Sequence, residues 1–336
     1  MNSRIYLLTG AAGLLGSNVS RKLIERGERV RALVLDGDAA AKYIPDEAEI
    51  VIGDITDPDS LEKFFTVPEK TEVYVIHAAS IVTLNPNPSE KVYAVNVTGT
   101  QNIINKCVSH KVKKLVYISS TGAIPEKQGR LPIKEVKRFN TQRLVGYYSV
   151  TKAEASQLVL NALDLVPGLD ASIIHPSGIC GPNDYSYGPV AEFIMQYAGG
   201  KMPAGIAGTF NSVDVRDLAE GVIACCDKGR RGECYIMSNS QVSMEDMFYL
   251  INDAAGLNYK PKILSQKLAR TLSIIMEAGS KITGKPAAIS DFAIYNLTRN
   301  NNFDCSKAKK ELGFHCRPFE ETINDEVLWL KAEGKI

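Results

Sequence analysis

Two side chains four residues apart, Tyr148 and Lys152, carry the clearest chemistry in this 336-residue chain. On a helix that spacing puts both on one face. A phenol ordinarily ionises near about pH 10 and is a poor base at neutral pH. An ammonium beside it, helped by a cofactor ribose hydroxyl, stabilises phenolate and brings the group into a working range. A third polar group must then hold the reacting oxygen. Ser119, Ser120 and Thr121 follow the apolar run that begins at Lys114, at the strand end where open α/β sheets place ligands. Tyr-x-x-x-Lys alone describes many surface pairs, so its meaning comes from what surrounds it. Tyr147, directly adjacent, reads as a packing residue.

The first seventeen residues supply those surroundings. An apolar run from Ile5 to Leu8 leads through Thr9 into Gly10, Gly13 and Gly16, and a helical stretch from Asn18 ends at Gly27. Strand, glycine turn and helix are the context that a dinucleotide site requires. Gly10 permits the tight turn, Gly13 lets a pyrophosphate approach backbone N–H groups, and Gly16 lets the helix pack close to the strand. The helix N-terminus adds partial positive charge. The spacing is one residue wider at its start than G-x-G-x-x-G. A β-like run, Arg29 to Leu35, is followed by Asp36 at the distance of the ribose-binding acid, where a carboxylate repels a 2′-phosphate.

Composition narrows the class. A net charge of +1 leaves no electrostatic footprint for nucleic acid or an anionic membrane. Seven cysteines without a C-x-x-C pair fit reduced thiols in a cytoplasm, with Cys225 and Cys226 packed in a helix. The four histidines show no metal-ligand spacing, so no metal is expected. Neither a signal peptide nor a run of transmembrane length is visible. The expectation is a soluble cytoplasmic protein acting on a small molecule, without stable membrane insertion.

Strands and helices alternate through the first half, the pattern of a doubly wound parallel sheet in the α/β class. Further strands are expected at Glu49–Asp57, Glu72–Ala79, Lys114–Ser119 and Ala171–His175, the last stopped by Pro176. Helices are expected from Pro58 to Phe65 with Asp57 as N-cap, from Val92 to His110, and from Ser149 to Leu163. Gly178 to Phe210 is rich in Gly, Pro, Asn and Tyr and reads as ligand-closing loops. Val213 to Cys226 returns to helix–strand style, Glu233 to Met237 is one more strand, and residues after Ser243 are mainly helical. Leu264 to Ile282 is amphipathic, with Leu268, Leu272, Ile275 and Met276 on one side; it reads as core-facing, a lid or membrane-skimming helix being the alternative. Residues 1–177 form the dinucleotide domain, completed by about 211–237, and 178–210 with 238–336 form the substrate region.

At this point the chain resembles an extended short-chain dehydrogenase/reductase over nearly its full length. Thr9–Gly16 matches that group's cofactor loop, Asp54-Ile55 its adenine-contacting pair and His77-Ala78-Ala79 its strand end beside the cofactor. Asn96-Val-Thr-Gly-Thr100 matches its Asn-Val-x-Gly-Thr helix, and Ser120, Tyr148 and Lys152 its catalytic triad. His175-Pro-Ser-Gly-Ile-Cys-Gly-Pro182 matches its Arg-Pro-x-x-x-x-Gly-Pro turn against the nicotinamide. The resemblance implies a Rossmann-type domain with a smaller, mainly helical C-terminal part. It implies hydride transfer between nicotinamide and a substrate carbon while Tyr148 gives or takes the proton on oxygen. Ser120 would orient that oxygen, Lys152 would bind ribose and tune Tyr148, and Asn96 would hold backbone or water near Lys152. The implied cofactor contacts are Gly10, Gly13, Leu14, Leu15 and Gly16 in the loop, then Asp36 and Lys42, then Asp54 and Ile55. Ala78, Ala79, Ser80, Lys152, Pro176, Gly178 and Ile179 complete them. Thr121, Tyr185 and Phe210 are the candidate substrate residues.

Departures from the family pattern narrow the subclass. Nucleotide-sugar epimerases and dehydratases usually carry an arginine where this chain has Phe210, and the dehydratases an Asp-Glu pair where it has Thr121-Gly-Ala-Ile124. The chain is more similar to the dihydroflavonol reductase and 3β-hydroxysteroid dehydrogenase branch, whose substrates are apolar ring alcohols or ketones. Leu35-Asp36 resembles the NAD-using members, while Lys42 keeps a feature of NADPH-using ones; the carboxylate favours NAD, without excluding NADP. A nucleotide-sugar epimerase or dehydratase, and a non-catalytic cofactor-binding protein, are the rival readings. By analogy with relatives, a homodimer would pair through the helices at Val92–His110 and Ser149–Leu163.

Overall fold

The computed structural model describes residues 3–127, 130–283 and 291–336. Seven strands form one parallel sheet: β1 (Ser3–Thr9), β2 (Arg29–Val34), β3 (Glu49–Ile52), β4 (Thr71–His77), β5 (Lys114–Ile118), β6 (Ala171–Pro176) and β10 (Cys234–Met237). Their order is β10-β6-β5-β4-β1-β2-β3. Chain direction across the sheet therefore reverses between β1 and β4, and the glycine turn after β1 opens at that switch point, where such sheets bind ligands. Burial on both faces explains the near-continuous apolar runs: Ile5, Tyr6, Leu7 and Leu8 are all buried, as are Val73 to Ile76.

One face is covered by α1 (Leu14–Glu25) and α7 (Val215–Lys228), which holds Cys225 and Cys226 in the core as expected. The other is covered by a short helix, α2 (Glu62–Phe65), and by α4 (Gly99–Ser109) and α5 (Tyr147–Leu165). A short α3 (Glu90–Tyr93) runs into α4 through a π-helical turn, Ala94–Thr98, centred on Asn96. Such turns recur at functional sites because they push one residue out of the helical ladder.

The remaining strands make two small sheets. β7 (Gly178–Cys180) pairs parallel with β9 (Thr209–Asp214), which pairs antiparallel with β11 (Gln241–Ser243). β8 (Ala204–Ile206) pairs with β12 (Lys262–Leu264). Around them pack α6 (Pro189–Ala198), α8 (Met244–Ala255) and α12 (Phe319–Ala332), joined through a third apolar cluster that includes Tyr197, Phe248 and Val327. α9 (Gln266–Thr283), α10 (Asp291–Thr298) and α11 (Ser306–Leu312) complete the chain.

Three expectations are corrected. The helix expected from Pro58 is only Glu62–Phe65, because the Asp57 carboxylate captures the Asp59 amide at 3.0 Å and closes a local turn instead. The stretch 178–210 is not all loop, since Pro189 at the first turn and the apolar spacing of Ile194 and Tyr197 build α6. On α9 the expected apolar side is corrected at Leu268, while Leu272 is half-buried. Leu268 is exposed, whereas Ala269 and Ser273 face inward, Ala269 packing with Ile206 and Ile294; small residues are needed for that close approach. Ile275 and Met276 lie outside the described side chains.

An ionic knot ties these parts together. Fully buried Asp214 at the end of β9 accepts the Arg216 backbone N–H at 2.8 Å and its guanidinium at 2.7 and 3.0 Å, with Arg317 at 3.3 Å. Arg216 continues to Asp325 on α12 at 2.6 Å, and Arg317 to Asp217 at 2.7 Å. Burial alone would raise the Asp214 pKa, but the hydrogen bonds and charge of Arg216, with the charge of Arg317, hold it below its ordinary 3.8. A carboxylate depressed in the fold contributes stability above its unfolded value and loses it as pH falls. Asp214→Ala should cost about 3 kcal/mol in urea denaturation near pH 7. The deficit should shrink as pH falls below 3.8; a deficit independent of pH would contradict this account.

Candidate active site

The glycine turn is built as a cradle. Gly10 has φ +68°, and a Cβ there would stand 2.7 Å from the Ala79 nitrogen; one at Gly16 would press to 2.7 Å from the Ala11 Cα. At Gly13 a Cβ would meet only the Gly10 carbonyl, at 3.4 Å, and otherwise open space. α1 therefore begins at Leu14 with no side-chain cap and no acid in its first turn. Amides of Leu14, Leu15 and Gly16 thus stand where an anion is favoured. This cradle fits a dinucleotide pyrophosphate.

The neighbouring strand end is locked to it. Ala78 N donates to the Thr9 carbonyl at 3.3 Å and Ala79 N to Thr9 Oγ1 at 3.2 Å. His77 bridges Thr9 Oγ1 at 2.7 Å and Thr100 Oγ1 at 3.0 Å. Asp36 and Lys42 are both exposed beyond β2, with the Lys42 ammonium 4.9 Å above the Tyr43 ring. One Asp54 oxygen accepts the Thr56 amide and hydroxyl, both at 2.8 Å, which turns the chain at the end of β3. Ile55 sends its side chain into the core, where Gly99 makes room for it.

Across the switch point, α5 starts at Tyr147 after Gly146, whose φ of +87° and missing Cβ accommodate the Phe292 ring. Tyr148 is half-buried in the first turn, with Ser120 and Ser80 beside its phenol. Burial pushes that phenol up to about 12 against the opposing effect of the two serines. Lys152 is buried one turn further along, its Nζ donating to the Ile118 carbonyl at 2.7 Å and lying 3.5 Å from the Tyr117 hydroxyl. Burial brings it down to about 7. Both shifts have one origin: a dry pocket disfavours each charged form. Asn96 accepts from Ile81 N at 2.8 Å and the Ser80 hydroxyl at 3.2 Å, and donates to the Ile81 carbonyl and Thr151 Oγ1. It thus fastens the segment carrying Ser80 to α5 beside Lys152.

Adjacent residues of a strand face opposite ways, and Ser119 and Ser120 do so here. Ser119 turns away to Ser156 Oγ at 2.7 Å, while Ser120 Oγ accepts from Gly122 N at 3.0 Å on the Tyr148 side. Thr121 is buried in the same turn. Pro176 ends β6, and Gly178 and Ile179 open β7, where a Cβ on Gly178 would stand 2.9 Å from Ser212 Oγ.

Two of the substrate candidates pack against other aromatic rings. Tyr185 stacks on Tyr43 with centroids 3.5 Å apart and leans edge-on against Trp329, so it belongs with Lys42 rather than with Tyr148. Phe210 packs with Phe193 at 5.3 Å in the third apolar cluster. Sequence reasoning missed Phe292 over Gly146. It also missed Glu126, which accepts from the Tyr295 hydroxyl at 2.5 Å and Asn300 N at 3.0 Å and so holds α10 to the loop that starts at Ser120. A glycine directly before the tyrosine was the available signal for the first.

Comparison with known proteins gives consistent findings. The model of the NAD dependent epimerase/dehydratase family matches residues 6–238. Sterol demethylase protein B of Methylococcus capsulatus is 27% identical over 334 residues, covering 98% of this chain and 99% of that one. The 3 beta-hydroxysteroid dehydrogenase/Delta 5-->4-isomerase of Mycobacterium tuberculosis is 26% identical, covering 92% of this chain and 85% of its own. The crystal structure of gox2253 superposes with a TM-score of 0.85 at 28% identity over the whole of both chains.

The buried Lys152 yields a test that needs no substrate. Its pKa falls from 10.5 in the unfolded chain to about 7 in the fold, so the folded protein binds fewer protons across that window. Stability of the cofactor-free protein should therefore rise with pH from about 7 to 10.5. Lys152→Met should flatten this rise in denaturant titrations at stepped pH. A rise of equal slope in both proteins would contradict the assignment.

Proposed function

The chain belongs to the NAD dependent epimerase/dehydratase family, and on that footing we propose that it interconverts a hydroxyl and a ketone on a hydrophobic, ring-type small molecule, with Tyr148 as acid and base. The observation that carries the reading is the placement of Tyr148, buried Lys152 and Ser120 at the strand ends that also carry the glycine cradle, with Ser120 and Ser80 beside the phenol. Bound in that cradle, the nicotinamide cofactor supplies or takes up hydride at the substrate carbon. The cradle amides hold the pyrophosphate, Asp36 the adenosine ribose, and Lys152 the ribose nearer the reaction.

The protein's own part is proton and position. Ser120 Oγ already accepts from Gly122 N, so its proton is free to be given to the substrate oxygen. In reduction Tyr148 donates its proton to that oxygen; in oxidation the phenolate removes it. A cation at Lys152 favours the phenolate and opposes the effect of burial. Val82 and Leu84, just after Ser80, and Val145, three residues before Tyr148, expose apolar side chains; this supports an apolar substrate. The sterol and steroid relatives support the same class. A carboxylate at Asp36 supports NAD over NADP.

The family description also covers epimerases, and a nucleotide-sugar epimerase passing through a transient ketone would use the same three groups. It would keep its cofactor through purification and bind UDP or dTDP.

The test is calorimetry with NAD(H) and NADP(H), followed by an NAD-linked screen of cyclic alcohols and ketones. Tight NAD(H) binding to initially empty protein and turnover of an apolar ring alcohol are expected. Tyr148→Phe should lower kcat at least about a hundredfold while binding cofactor as the parent does, and Lys152→Met should move the alkaline rise of alcohol oxidation to higher pH. Undiminished turnover by Tyr148→Phe would refute the mechanism, and preference for a nucleotide sugar would refute the substrate class.

A further inference from the structure

Ser120 stands at the bend where β5 ends, and its carbonyl accepts two hydrogen bonds. One comes from Ala123 N at 3.1 Å within its own turn, the other from His175 Nδ1 at 2.9 Å across β6. A carbonyl oxygen has two lone pairs, so both are used, and the Ser120–Thr121 peptide plane is held from two sides. Ser119 N on the Ile174 carbonyl, at 2.8 Å, fixes the preceding residue. Only the Ser120 side chain keeps freedom to act.

The His175 tautomer follows from these contacts. A carbonyl only accepts, so Nδ1 carries the proton. Burial lowers the imidazole pKa to about 4, so the ring is neutral and Nε2 is a bare lone pair. That atom is buried with no hydrogen-bond partner among the described residues, as are Ser177 Oγ and Ser238 Oγ. The register puts the three together. Ile236 pairs with His175, Met237 with Pro176, and Ser177 N donates to the Met237 carbonyl, so His175, Ser177 and Ser238 share one face of the sheet. Buried polar atoms grouped in this way are characteristically served by an internal water. The family turn carries arginine at this position by resemblance; a guanidinium has no lone pair, so the acceptor side of His175 is a feature of this chain.

We propose that His175 is a positioning residue: its Nδ1–H fixes the Ser120 carbonyl and so aims the Ser120 hydroxyl at the oxygen that Tyr148 protonates, while a buried water shared with Ser177 and Ser238 holds its tautomer. This deepens the function proposed above and rests on Ser120 and Tyr148 having the roles given there.

The test is a double-mutant cycle on the full chain, with Ser120→Ala, His175→Phe and the pair. It is read by the 13Cζ resonance of Tyr148, assigned through Tyr148→Phe. Ser120→Ala should move that resonance, His175→Phe should move it the same way, and the pair should move it no further than Ser120→Ala. With dehydroepiandrosterone and NAD as probe, His175→Phe should lower kcat roughly tenfold, the weight of one hydrogen bond, with KM for NAD unchanged and with His175→Asn, whose amide can still donate, recovering most of the loss. A resonance unmoved by His175→Phe, or additive shifts, would overturn the proposal. A resonance unmoved by Ser120→Ala would instead show that Ser120 does not face the phenol, removing the parent assignment as well. The 15N imidazole spectrum of the unaltered protein decides the tautomer without any variant: a protonated Nδ1 with bare Nε2 is expected, and protonated Nε2 would overturn the proposal.

Discussion

Much of this site hangs on the buried imidazole of His77. Thr100 Oγ1 donates to the Asn96 carbonyl at 2.7 Å, so it accepts from His77 Nε2; Nδ1 of the neutral ring is then the acceptor and takes the Thr9 proton, while Ala79 N donates to Thr9 Oγ1. The chain runs in one direction and allows one tautomer. Burial, with the Lys152 charge nearby, lowers this imidazole to about 3, which keeps it neutral. Through this chain the glycine turn, the end of β4 and the π-helical turn become one object. Asn96 then extends it to Ser80 and, through Thr151, to α5. The glycine cradle and α5 are thereby held together by side chains that are themselves buried. Hydrogen-bonded chains in a low-dielectric interior reinforce one another, and each member left unpaired is costly.

The same dryness explains why the reacting groups look inert in isolation. A phenol near 12 and an amine near 7 are both poised toward their neutral forms. The Lys152 amino group meanwhile rests on the Ile118 carbonyl. In the function proposed above, cofactor hydroxyls beside Lys152 would favour its cation and so couple proton chemistry to occupancy of the cradle. Preorganised polar groups gain leverage from exclusion of water.

Legibility in the sequence followed the range of the interactions. The glycine turn, the strands up to β6 and the placing of Tyr148 and Lys152 one turn apart on a helix rest on local periodicity and were readable. What was not readable depends on contacts far apart in the chain. Tyr185 meets Tyr43 and Trp329 across 142 and 144 residues, and nothing in its own neighbourhood says so. Phe210 stood where a family arginine is expected, yet residue type alone could not tell a ligand wall from a core contact. Leu268 failed for a related reason: amphipathicity gives a face, but which face packs depends on how closely the neighbouring chain approaches.

The C-terminal half shows why substrate identity is the least legible property. Its contact with the catalytic loop is a zipper of backbone pairs, Ile133 N to the Asn302 carbonyl and Asp304 N to the Ile133 carbonyl, both at 2.8 Å, clasped by Glu126 on Tyr295 and Asn300. Backbone pairing places few demands on side-chain type, so a sequence pattern cannot announce it. The polar clasp holds α10, whose Phe292 ring packs where a Cβ on Gly146 would stand, two residues before Tyr148. Reaction type is thus written in a few hydroxyls and one amine with strict geometry. Substrate type is written in the volumes of apolar side chains brought together only by folding.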